Sequence, residues 1–309
     1  MNIRFDGRVA IVTGAGRGLG RAHALGLAAR GARVVVNDFS RDGEPPAAAL
    51  GVVADIEAAG GEAVADGADV SDLDQVRAMV TRAESRWGRV DILVNNAGIL
   101  ADKSFAKMDM ADFKRVLDVH LIGSANCTKA VWDGMRERNY GRIVFTSSSS
   151  GLYGNFGQAN YGAAKAAMIG LMNVLHLEGA KYGIRVNTLA PTASTAMTDG
   201  LFSPAEASLL SPESVTPAVL FLVSEDAPSR TILGAGAGSF AVAHIVESPA
   251  IFLGDGPDTP EALAARWAEL SQRSDLSPLD DAFAQTRKYV TAASGTARAT
   301  MPAGPDSSR

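Results

Sequence analysis

Apolar residues in the first part of the chain come in short unbroken runs, not in strict alternation, and stretches of helical periodicity separate them. Such runs suit strands buried on both faces, as in a parallel sheet covered by helices. Six are legible: residues 9–12, 33–38, 62–68, 90–94, 142–145 and 184–189. Between them, residues 21–30 have helical spacing, Pro45-Pro46 opens a helix that Gly60-Gly61 closes, and Ser71 is placed to cap a helix reaching Trp87. A long helical region covers residues 110–138, and Ser211-Pro212 starts another that runs to about residue 224. This alternation predicts an α/β fold, a doubly wound parallel sheet with helices on both faces.

The character changes after Gly238. Residues 240–253 are apolar with some alternation and suit a strand, Thr259-Pro260-Glu261 reads as a helix start with Thr259 as cap, and a short helix fits residues 279–290. Beyond about residue 292, scattered Gly, Pro, Ser and Asp without periodicity predict a disordered tail. The expected organisation is therefore a catalytic domain over 1–238, an extension over 239–291 and a tail over 292–309.

Composition narrows the classes of function. At 309 residues, 47% hydrophobic and 20% charged, the chain has apolar material for one large domain. A net charge of −5 without any Lys/Arg-rich block argues against a nucleic-acid or anionic-membrane partner and for a small-molecule substrate. Cys127 is the one cysteine, which leaves no intramolecular disulfide and no zinc cluster, and we expect no metal. No run approaches the ~18 apolar residues of a membrane span, and the expected setting is cytoplasmic.

Candidate chemistry gathers at the ends of the predicted strands. After the first comes Thr13-Gly14-Ala15-Gly16-Arg17-Gly18-Leu19-Gly20, a glycine turn that lets backbone approach a pyrophosphate at a helix N-terminus. The second ends in Asp38, placed to accept from an adenosine ribose and to repel a 2′-phosphate, which favours NAD. Arg17 and Arg41 pull the other way, since a guanidinium can meet that phosphate. Asp69 has two readings, adenine contact or loop acid near a helix start. Asn95-Asn96-Ala97-Gly98 has two as well, holding the sheet together or lining a cofactor. Near the fifth strand lie Ser148, Tyr161 and Lys165. The last two are four residues apart and share a helix face, so an ammonium stands near a phenol. His23, His176 and His244 have no partner motif and read as packing residues.

Thr13-Gly14-x3-Gly18-x-Gly20, Asn95-Asn96-Ala97-Gly98, Ser148 and Tyr161-x3-Lys165, in this order, resemble the short-chain dehydrogenase/reductase superfamily over residues up to about 238. The resemblance implies a Rossmann fold with Tyr161 as general acid/base, Lys165 lowering its pKa and holding the nicotinamide ribose, and Ser148 orienting the substrate oxygen. The cofactor-binding set it implies is Gly14, Arg17, Gly18, Leu19, Gly20, Asp38, Asp69, Val70, Asn96, Ala97, Gly98, Tyr161, Lys165, Pro191 and Ala193. A free phenol with a pKa of about 10 is a poor base at neutral pH, and a nearby ammonium favours its phenolate. His120, a fourth catalytic candidate, stands where the wider family has Asn at a helix bend, either to hold a water beside the Lys or to satisfy a backbone carbonyl.

Further residues, namely residues 34–38, 95–100, 119–121, 150–165 and the tail from Gly234 to Ala262, resemble the dehydrogenase unit of peroxisomal multifunctional enzyme type 2. That branch carries the same His. Its members imply oxidation of (3R)-hydroxyacyl-CoA with NAD, a homodimer or homotetramer, and an extension that helps enclose the site. A 17β-hydroxysteroid or another bulky alcohol or ketone is the alternative substrate. A non-catalytic NAD(H) sensor is the alternative from another class.

Overall fold

Each predicted run is a strand in the computed structural model, which describes residues 2–299. β1 (Val9–Val12), β2 (Arg33–Asn37), β3 (Glu62–Asp66), β4 (Ile92–Asn95), β5 (Gly141–Thr146), β6 (Ile184–Pro191) and β7 (Ile232–Gly236) pair in parallel. β8 (Ser239–Ala243) adds to β7 in antiparallel sense, and the order is β3-β2-β1-β4-β5-β6-β7-β8. The helices are α1 (Gly18–Ala28), α2 (Ala47–Ala58), α3 (Leu73–Trp87), α4 (Met110–Leu117), α5 (Gly123–Glu137), α6 (Ser149–Tyr153), α7 (Ala159–Gly179), α8 (Pro204–Leu209) and α9 (Thr216–Leu222). One core layer packs α1, α2 and α9 on the sheet, and the other packs α3, α5 and α7. The order of strands reverses between β1 and β4. Open α/β sheets bind ligands at the carboxyl ends of their strands beside such a switch point.

Two compact units emerge, Met1–Ala243 and His244–Arg309. The boundary expected at 238 is corrected to Ala243, because β8 is hydrogen-bonded into the sheet. β7 is a strand that the pattern missed, since Gly234 and Gly236 dilute its apolar run. The strand expected over 240–253 ends at Ala243. The second unit holds α10 (Thr259–Ala265), α11 (Trp267–Leu270) and α12 (Ala282–Ala299). α12 replaces the disorder expected for 292–299: an Ala-rich helix tolerates the ~1 kcal/mol cost of Gly295. Residues 300–309 of that expected tail lie outside the described residues.

Local chemistry shifts several helix starts. Asp72, not Ser71, caps α3, accepting from Asp74 N and Gln75 N, while Ser71 bonds Asp69. Thr259 is the first helical residue of α10 and contributes no cap. Ser211 caps only a single 3₁₀ turn, Pro212–Ser214, and α9 then begins separately with Pro217 in its first turn.

His23 on α1 is wholly buried, with Nδ1 3.0 Å from Thr216 Oγ1 on α9 and Nε2 unpartnered. Burial pushes the imidazole down to about 3. A depressed histidine stabilises the fold above its unfolded pKa of about 6.5 and loses that contribution as pH falls toward 3, by up to about 1.4 kcal/mol per pH unit. We predict that His23→Gln flattens the acid side of a urea-denaturation stability profile between these limits. An unchanged slope counts against it.

Candidate active site

The turn after β1 has almost no room for side chains. Gly14 has φ +62°, and a Cβ there would lie 2.8 Å from Ala97 Cα. A Cβ on Gly20 would lie 2.2 Å from Gly14 O, so helix and turn meet backbone to backbone. The turn is clamped from β4: Thr13 Oγ1 accepts from Asn96 N and Ala97 N, each at 3.0 Å, and Asn96 Nδ2 donates to Thr13 O and Gly14 O. Asn96 therefore holds strand ends together, one of its two readings, and Asn95 Nδ2 donates to Thr128 Oγ1.

Above the turn, α1 starts at Gly18, and its N-cap, Arg17, offers no side-chain acceptor to the first helical N–H groups. Those donors suit an anion. Asp38 overhangs the turn: its Oδ2 would lie 2.2 Å from a Cβ on Gly16. Its Oδ1 accepts from Phe39 N, and among the described residues no ion pair neutralises it. Arg17 is exposed, as is Arg41. Val70 is buried against Gly123, Pro191 ends β6, and Ala193 is buried in the α1-side core. Asp69 Oδ1 is occupied by Ser71 N and Oγ. A bare glycine turn, free helix N–H groups and an unneutralised carboxylate fit a nicotinamide dinucleotide.

The second half of the site grows from β5 and α7. Ser147 Oγ donates to Lys165 O, and Lys165 Nζ donates 2.6 Å to Thr146 O, so both faces of the β5 end are tied to α7. Ser148 caps α6 through Ser150 N. Lys165 Nζ lies 5.4 Å from the centroid of the Tyr161 ring. The three residues therefore converge, as their spacing predicted.

Burial pushes Tyr161 above the usual phenol value, the Ser148 hydrogen bond pulls it back, and Asp102 adds to the rise. Lys165, fully enclosed, is pushed down to about 7, which weakens the charge expected to lower Tyr161. In the protein alone burial sets the upward direction for Tyr161.

His120 sits in a π-helical turn, Asp118–Ile122, between α4 and α5. Its Nε2 lies 2.8 Å from Ile99 O and 3.1 Å from Ile99 N. The ring meets Tyr161 edge-on at 5.3 Å, and Gly98 has no room for a Cβ beside it. Nδ1 is buried without a partner. Burial, reinforced by Lys165, pushes the imidazole down to about 3 and keeps it neutral. Of the two readings, the backbone contact at the bend is the one observed.

Sequence reasoning missed the supports of Tyr161. Asn160, fully buried, accepts from Tyr161 N and donates to Ala101 O. Gln158 donates to Asp102 and accepts from Ser150 and Asn155. Amides flanking a helix start were the available signal. His176 pairs with Ser229, and Cys127 is a buried thiol pushed up to about 12.

Residues 8–205 match the family described as short chain dehydrogenase. Peroxisomal multifunctional enzyme type 2 of Drosophila melanogaster is 45% identical over 285 residues, 90% of this chain and 47% of that protein. Its full-length structure superposes with a TM-score of 0.77 at 38% identity, covering 96% of this chain and 50% of that one. The chain thus spans about half the length of this relative. A short-chain type dehydrogenase/reductase of Mycobacterium tuberculosis is 44% identical over 277 residues, covering 86% of this chain and 95% of its own. A 7α-hydroxysteroid dehydrogenase, complexed with NADH and 7-oxo glycochenodeoxycholic acid, superposes with a TM-score of 0.70 at 34% identity, covering 77% and 96%. "Peroxisomal" in the name of the Drosophila relative differs from the cytoplasmic setting expected above; among the described residues no helix is long and apolar enough to cross a membrane. Matched over most of its sheet and carrying Ser148, Tyr161 and Lys165 around one cleft, the chain belongs to the short chain dehydrogenase family, oxidoreductases that act on CH–OH groups.

Proposed function

We propose that this chain is an NAD-dependent (3R)-3-hydroxyacyl-CoA dehydrogenase. The observation that carries the reading is the convergence of Ser148, Tyr161 and Lys165 on a cleft whose glycine turn is overhung by an unneutralised Asp38. The 45% identity to a multifunctional enzyme over 285 residues supports the substrate class. When bound, a nicotinamide dinucleotide supplies the hydride acceptor. Ser148 orients the substrate oxygen at the mouth of α6. Tyr161 Oη takes the proton from the substrate hydroxyl in oxidation and returns one to the carbonyl oxygen in reduction. Lys165, anchored on Thr146 O, favours the phenolate when charged. His120 acts as a positioning residue: it pins the Ile99 peptide and supports the Tyr161 ring from its edge.

A steroid alcohol is the second reading, favoured by the likeness to a 7α-hydroxysteroid dehydrogenase. NADH formation with (3R)- and (3S)-hydroxyacyl-CoA and with hydroxysteroids separates the two, and turnover of steroids alone would overturn the thioester assignment.

Tyr161→Phe removes the only phenol at the reacting oxygen and is expected to lower kcat by at least about 100-fold with cofactor binding kept. In the wild type, a phenol raised by burial makes alcohol oxidation climb, and ketone reduction fall, as pH rises above neutral; stopped-flow pH profiles read both. Asp38→Ala is expected to lower kcat/KM for NAD by about tenfold or more, the worth of a charged hydrogen bond, and to narrow the preference over NADP. An unchanged NAD/NADP ratio removes Asp38 from cofactor choice.

A further inference from the structure

A cavity of about 440 Å³ opens beside the catalytic serine, within the range of small-molecule sites of about 300–1,000 Å³. Its lining begins at Ser149, the residue after Ser148, and runs to the far edge of the sheet. The floor is the sheet itself. Strand register sets Ala190, Gly234 and Ala241 abreast on β6, β7 and β8, so the middle of the floor carries no side chain larger than a methyl. Leu233 and Ala235 pack into the α1-side core, whereas Ile232 packs into the α7-side core, so Gly234 presents the same face as Ile232, toward α6 and α7. A Cβ on Gly234 would meet only Ala241 O at 3.4 Å and Ala190 O at 3.9 Å, which leaves open space above it. Leu152 and Tyr153 of α6 and Leu210 after α8 form the walls. No charged side chain lines the cavity.

We infer that this groove is the acyl-chain subsite, and that Gly234 on β7, with Tyr153 on α6, sets the length of alkyl chain the enzyme accepts. The inference rests on the thioester reading above. The lining offers no charged partner, so a charged group would lose its water on entry without gaining an ion pair, whereas a polymethylene chain gains from every carbon laid on it. Ser149, next in the chain to Ser148, lines one end of the groove and gives the direction: the carbon chain would leave the reacting carbon past Ser149 and run over Gly234 toward β8. An eighth strand makes that floor one strand wider than the parallel sheet alone would provide.

The test is kcat/KM for saturated (3R)-3-hydroxyacyl-CoA esters from about four to about sixteen carbons, with wild type, Gly234→Val and Tyr153→Ala. Branched methyl groups at Gly234 rise into the groove, so Gly234→Val is expected to lower kcat/KM for the longest esters by about tenfold or more and to leave the shortest within about threefold. Tyr153 is 78% exposed, so Tyr153→Ala does not threaten folding. It is expected to weaken long esters selectively and by a smaller factor. NADH binding by fluorescence reports whether each variant is folded, and if Gly234→Val fails there, Tyr153→Ala decides. Equal loss at all lengths, no change at any length, or a change only in the mass measured by light scattering overturns the subsite; the last would assign this face to a second copy of the chain. If the wild type oxidises no thioester, the functional reading itself falls, and the subsite with it.

Discussion

The Thr13 hydroxyl accepts two backbone N–H groups from the end of β4, and the Asn96 amide returns two bonds to the carbonyls of the glycine turn. The two central strands are joined at their carboxyl ends by these four bonds, at the place where strand order reverses. The glycine-turn side of the cleft takes its position from that clamp. It holds Gly14 in a left-handed conformation with backbone nearly touching Ala97, which leaves the α1 N-terminus exposed and Asp38 above it. A side chain at Gly14 or Gly20 would collide with backbone that cannot move without breaking the clamp.

The reacting half of the site is built by a different kind of constraint. Lys165 is buried and loses the solvation of its ammonium, yet one carbonyl at 2.6 Å fixes where its nitrogen stands. Tyr161 is held through its own N–H by Asn160, and its ring edge rests on His120. Burial therefore does two things at once. It fixes geometry, and it raises the phenol while lowering the ammonium. The π turn at His120 belongs to the same construction: an extra residue in the helix brings the imidazole against the Ile99 peptide, and a neutral ring is the only form that such burial tolerates.

Much of this was legible beforehand. Both-face burial writes itself into the chain as unbroken apolar runs, so six strands and the doubly wound topology could be read directly, and glycines flanking β1 marked the turn because no other residue fits there. Ser148, Tyr161 and Lys165 were readable because helix periodicity places a four-residue pair on one face. β7 was not readable, since its two glycines serve the cleft and thin the apolar signal. The cap of α3 was misread by one residue, because Ser71 and Asp72 both carry acceptors and only geometry chooses between them.

What the sequence determined by itself is the architecture and the grouping of Ser148, Tyr161 and Lys165, because these depend on local periodicity and on residue types with few substitutes. Tertiary structure alone decided the rest. It turned Asn96 into a clamp, since its partners lie more than eighty residues away. It set the direction of the Tyr161 shift in the protein alone, since desolvation depends on everything packed around the ring. It also laid Ala190, Gly234 and Ala241 side by side, because register between strands joins residues that no local pattern connects.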